Sequence, residues 1–208
     1  NNGGDMEGHV VINANAAKGS GSGGTAPASS SGDGSKVWLD ATQGGNDTLE
    51  INSRFTGTQD GRNLDLFEGG KGAYGVAAAW QKGWGDGDAG AAQVHINGFD
   101  NVDITADARG SNGYAYGIYS RSAYARAPGV TISNEDGPLH LNITALADDP
   151  AKAYAIYNNG GTNTIRGGST ADSDGDRIIL TGNVDIRTNS GTNQIITGQG
   201  DDLVEIKG

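Results

Sequence analysis

The sequence predicts an all-β protein: a right-handed parallel β-helix of about five coils, each built from three short strands and variable turns. Three observations predict it. One apolar strand is written three times, two further strand types recur alongside it in fixed order, and glycine punctuates short alternating apolar bursts throughout.

The first repeat reads Ala73-Tyr74-Gly75-Val76-Ala77, Ala115-Tyr116-Gly117-Ile118-Tyr119 and Ala153-Tyr154-Ala155-Ile156-Tyr157, with the leading tyrosines 42 and 38 residues apart. A second strand type precedes each copy: NLDLF (63–67), NVDIT (101–105) and HLNIT (140–144), aligned on Leu66, Ile104 and Ile143. A third type comprises TLEIN (48–52), QVHIN (93–97), GVTIS (129–133) and TNTIR (162–166), aligned on Ile51, Ile96, Ile132 and Ile165. Each strand alternates, so one face is apolar and the other polar. A lone coil cannot bury its apolar face. Stacked coils can, because like strands align as parallel sheets around a continuous narrow core. The repeat therefore predicts that Ile118 rests on Val76 and Ile156, and that Tyr74, Tyr116 and Tyr154 stack.

The ends depart from this pattern. HVVINA (9–14) and KVWLDA (36–41) read as an incomplete first coil, with residues 15–35 between them as a mobile Gly/Ser-rich loop. Residues 1–47 thus form one region and 48–208 the solenoid proper. After residue 165 the register tightens, with GTNTI (161–165) and GTNQI (191–195) set 30 residues apart. The pattern stops at Gly208 without a polar cap, as a segment of a longer solenoid would.

Composition excludes several classes. Gly numbers 37 of 208 residues without a triplet period, and Pro only 4, so neither collagen nor a Pro-rich linker fits. A net charge of −11 opposes nucleic-acid binding, which needs a basic stripe. Cysteine is absent, which suits a chain exported unfolded. The opening NNGGDMEGHVV has neither the charged start nor the apolar run of a signal peptide, and no window approaches a membrane-spanning helix.

Two motifs suggest ligands. TGQGDDLVEI (197–206) fits most of a calcium nonapeptide, and Asp172, Asp174 and Asp176 form a D-x-D-x-D run, so calcium could sit on these aspartates or on Gly200, Asp201 and Asp202. Calcium nonapeptides normally occur in tandem, however, and here they are scattered; Gly-Asp turns between strands are the simpler reading. Trp80 and Trp84, with Asp86 and Asp88, offer an aromatic platform beside carboxylates, suited to a sugar ring or a host-surface protein. Folding of both indoles over the coil edge is the plain alternative. Two G-x-G-x-x-G matches, at 19–24 and 85–90, open no helix and carry no dinucleotide. No catalytic constellation repeats at coil spacing. The alternative of a β-helix enzyme cleaving acidic polysaccharides would draw on Arg109, Arg121 or Lys152 as base.

With AYGIY, NVDIT, LNIT and the Gly-Thr-Asn turns in view, residues 48–208 resemble the β-helical passenger regions of Gram-negative autotransporters. The resemblance lies in repeat style. It implies an extracellular or cell-surface adhesin-like scaffold with no resident cofactor, exported through a membrane β-barrel outside this sequence. A third expectation is a calcium-binding segment of a secreted adhesin.

Overall fold

A computed structural model describes residues 9–16, 23–25, 36–41, 47–56, 72–80, 93–122, 129–159, 161–168, 175–186, 192–198 and 200–208. The chain winds as a parallel β-solenoid with three sheets. Sheet 1 stacks β1 (His9–Ala16), β4 (Thr48–Phe55), β7 (Asn101–Asp107), β10 (His140–Leu146), β13 (Arg177–Thr181) and β16 (Leu203–Lys207). Sheet 2 stacks β2 (Gly23–Thr25), β5 (Gly72–Trp80), β8 (Tyr114–Ser122), β11 (Ala153–Asn159) and β14 (Asn183–Ile186). Sheet 3 stacks β3 (Lys36–Asp40), β6 (Gln93–Asn97), β9 (Val130–Ser133), β12 (Asn163–Arg166) and β15 (Asn193–Ile196). Each coil visits the sheets in that order, giving five coils and one strand of a sixth among the described residues. A single 3-10 turn, Pro150–Lys152, is described, its start held by Asp149 accepting from the Ala151 N–H.

Like residues lie on like. Val102 and Ile104 pair with Leu49 and Ile51 on one side and Leu141 and Ile143 on the other. All six are buried in one core cluster with Val76, Ile118 and Ile156 of sheet 2 and Ile96, Ile132 and Ile165 of sheet 3. Ile118 is in register with Val76 and Ile156, as the repeat requires.

Two readings of the repeats change. TLEIN (48–52) stands in sheet 1, where Ile51 pairs with Ile104, and not in sheet 3, where Ile96 pairs with Leu39 and Ile132. The three strand types share one apolar alternation, so strand sequence alone does not separate them. The preceding turn does: Asp47 stands before Thr48 as Asp100 stands before Asn101. Gly23–Thr25, inside the segment read as a loop, pairs with β5 and supplies the second strand of a complete first coil. NLDLF (63–67) lies outside the described residues.

The AYGIY strand bends. In a straight strand, residues three apart face opposite sides. Here Tyr116 and Tyr119 contact each other with ring centroids 4.9 Å apart, while Ile118 joins the core between them. Two consecutive positions, Gly117 and Ile118, therefore turn inward. A Cβ on Gly117 would overlap Ile143 Cγ2 and the Ala155 carbonyl, and one on Gly75 would meet Ile104 Cγ2 and the Gly117 carbonyl. Glycine lets sheet 2 close against sheet 1 at this corner. On the other face Tyr74, Tyr116 and Tyr154 stack at 4.9 and 5.4 Å, and Tyr119 lies over Tyr157 at 5.1 Å. Burial, reinforced by the neighbouring phenols, pushes the Tyr116 hydroxyl well above the usual tyrosine range.

Ile118→Ala removes a side chain stacked on both sides and should cost about 2–5 kcal/mol in a denaturant melt; a variant as stable as the parent would contradict the ladder. Gly117→Val should cost about 1–3 kcal/mol through overpacking at the corner. The same melt checks it, and Ala155→Val in the next coil provides a comparison site that already accommodates a Cβ.

Candidate functional site: an aromatic strip on sheet 3

The alternation of β3 places Val37 and Leu39 in the core and leaves Trp38 and Asp40 on the outer face. Trp38 is 50% exposed, unusually open for an indole. It lies opposite His95 of β6, with ring centroids 5.0 Å apart. His95 Nε2 is 3.3 Å from Asp40 Oδ1, an ion pair when the imidazole is protonated. Asp40 in turn neighbours Asn97, whose Oδ1 accepts the Ser133 hydroxyl at 2.9 Å. Indole, imidazole, carboxylate and amide thus share one flat face, fixed at strand spacing by the sheet beneath. An indole face takes the C–H side of a sugar ring or an apolar side chain, and the polar groups beside it can meet hydroxyls.

This platform differs from the one read in the sequence. Trp80 ends β5, but its side chain, together with Trp84, Asp86 and Asp88, lies outside the described residues. Trp38 was legible by the same logic, since Val37, Leu39 and Ala41 alternate around it; only the neighbourhood with His95, 57 positions on, needed the fold.

No family model, curated protein or solved structure matches the chain. Its chemistry is therefore read from its own geometry.

The described part of the acidic motifs includes a staple between turns. Asp172 and Asp174 lie outside the described residues. Asp176 is buried; its Oδ1 accepts the Leu139 N–H at 2.8 Å and its Oδ2 the Gly198 N–H at 2.9 Å. Its own N–H donates to Asp202 Oδ1 at 2.9 Å, and its carbonyl accepts from Leu203 N at 2.8 Å. One carboxylate thereby ties three successive turns from sheet 3 to sheet 1. Gly167 packs so close that a Cβ there would overlap this carboxylate, and Gly200 takes a φ of +135°, a region that favours glycine. Asp201 is exposed. Among the described residues no group of three or more His, Asp or Glu side chains is placed to hold a metal ion. Each Asp176 oxygen already accepts one backbone hydrogen bond, so a cation would have only the remaining lone pairs.

Two of the cations considered for glycan cleavage, Arg109 and Lys152, make turn contacts. Arg109 forks onto Asp107, with Nε and Nη2 donating to the two carboxylate oxygens at 2.9 and 2.8 Å. That hydrogen bond holds the Asp107 carboxyl below its usual range against the opposing effect of burial. Lys152 Nζ donates to the Asn112 carbonyl and side chain at 3.0 and 2.7 Å and lies over the Tyr114 ring. Arg121 belongs to β8.

Asp176→Asn would place an amide N–H₂ where one of two backbone N–H groups needs an acceptor. It should destabilise the chain by about 1–3 kcal/mol, whereas Asp202→Asn, at an exposed site accepting one bond, should cost less. Paired denaturation curves of the two variants check the order.

Proposed function

We propose that this chain is an extracellular or surface-displayed β-solenoid scaffold that makes adhesive contact with glycans through the outer face of sheet 3. The observation that carries the reading is Trp38, half exposed on a rigid sheet and flanked by His95, Asp40 and Asn97. An aromatic ring left in water on an element that needs it for neither core nor turn is available for recognition. A stack of coils suits attachment because it holds such side chains at fixed spacing over a long face. The absence of cysteine and the net charge of −11 are compatible with an exported chain. On this reading the relation to autotransporter passengers is one of role as well as repeat style, and a membrane β-barrel outside this sequence would serve export.

The negative charge favours neutral glycans over acidic ones. Binding of the purified chain to an immobilised panel of neutral and acidic oligosaccharides tests this. Trp38→Ala should weaken binding to neutral members by about 30-fold, the equivalent of about 2 kcal/mol, with an unchanged melt. Equal binding by parent and variant, or none by either, would remove the strip as an adhesive site.

A further inference from the structure

The outer faces of the three sheets are not equivalent. On sheet 1 the outward polar side chains bond to one another. Asn52 Nδ2 donates to Glu50 Oε1 at 2.6 Å, Asn142 Nδ2 to Asp103 Oδ1 at 3.0 Å and Thr144 Oγ1 to Asn142 Oδ1 at 3.4 Å. His140 Nδ1 lies 3.3 Å from Asn101 Oδ1. On sheet 2 the stacked Tyr74, Tyr116 and Tyr119 are buried.

Sheet 3 differs. Its register carries the Trp38–His95 column onward through Thr131 to Thr164. Both threonines face outward, alternating with buried Val130, Ile132, Asn163 and Ile165. Neither hydroxyl takes part in a hydrogen bond among the described residues. A second column, Asp40, Asn97, Ser133 and Arg166, runs beside the first. It is matched within the face: Asp40 meets His95, Ser133 donates to Asn97, and Arg166 Nη1 lies 3.3 Å from Glu135 Oε1. What the first column offers a ligand is an indole, an imidazole and then two hydroxyls.

This row selects its occupant. The side chains fall from aromatic rings on β3 and β6 to short hydroxyl-bearing ones on β9 and β12, so a ligand seated on the indole continues over a low polar floor. An acidic chain would meet the Asp40 carboxylate and an Arg166 already matched by Glu135. An apolar segment would cover the Thr131 and Thr164 hydroxyls without giving them a partner, which is unfavourable. Sugar hydroxyls both donate and accept, as threonine does. The spacing fits as well. Neighbouring strands lie about 4.7–4.9 Å apart, close to the length of one unit in an extended β-linked glycan. Three such steps from β3 to β12 span about 14 Å.

We propose that a linear neutral glycan lies along the solenoid axis on this row, one sugar unit to a coil: the first on Trp38, the second over His95, the third on Thr131 and the fourth on Thr164. The proposal rests on the adhesive reading of Trp38. It adds the ligand's direction, its length and two specificity-determining residues.

The test is calorimetric binding of the purified chain to β-1,4-linked glucose and N-acetylglucosamine oligomers, from the disaccharide to the tetrasaccharide. Affinity for one series or both should rise about fivefold with the third unit and about fivefold again with the fourth, the equivalent of one hydrogen bond each. Thr131→Val should weaken binding of the tri- and tetrasaccharide about fivefold, and Thr164→Val that of the tetrasaccharide alone, each leaving the disaccharide and the melt unchanged. Trp38→Ala should weaken binding at every length. Thr105→Val, on the outer face of sheet 1, should alter none of these affinities. Binding that needs Trp38 but gains nothing with length, or that ignores both threonines, would overturn the proposal and leave the adhesive reading standing. No binding by the parent at any length would remove both.

Discussion

Everything in this fold depends on parallel strands stacking in register, so that each inward side chain rests on its own kind. A strand contributes only a few inward residues, such as Val102, Ile104 and Ala106 of β7, and Val102 and Ile104 gain burial only when Leu49 and Ile51 lie on one side and Leu141 and Ile143 on the other. At about 1.5–3 kcal/mol per buried aliphatic side chain, one coil cannot offset the entropy of ordering its backbone; a stack can. Coil lengths vary because only register is constrained, and the differences fall in turns.

That constraint explains what sequence could and could not reveal. The AYGIY copies were legible because their spacing and order repeat, and Ile118 stacks where they predict. The bend within them was not, since the closeness of Ile143 and the Ala155 carbonyl to Gly117 comes from other strands. TLEIN misled because Leu49-x-Ile51 satisfies either of two sheets, and the deciding Asp47 lies outside the alternating run. Gly23–Thr25 was hidden for a different reason. Three small residues carry no apolar period, and only their pairing with β5 makes them a strand.

The candidate site divides in the same way. Outward placement of Trp38 follows from alternation alone, while its company does not, because His95 belongs to the next coil. The aspartates show the converse. A D-x-D-x-D spacing suggests a cation; the spacing does not show that Asp176 sits in the turn where N–H groups from the coils before and after converge, and that both of its oxygens meet one. Short acidic motifs in solenoids need this distinction, since the same carboxylate can neutralise a metal or organise backbone donors.

The Asp176 staple also bears on how such a rod would respond to force. Stacked coils offer little resistance to peeling from one end, because each level holds only to its neighbour. A side chain that grips the turn on either side joins three levels into one block, so a pull at the C-terminal strands would load its two hydrogen bonds and the Asp202 bond together. Unzipping from that end would meet its first knot there, one level behind β16, leaving the coils nearer the Trp38 strip undisturbed.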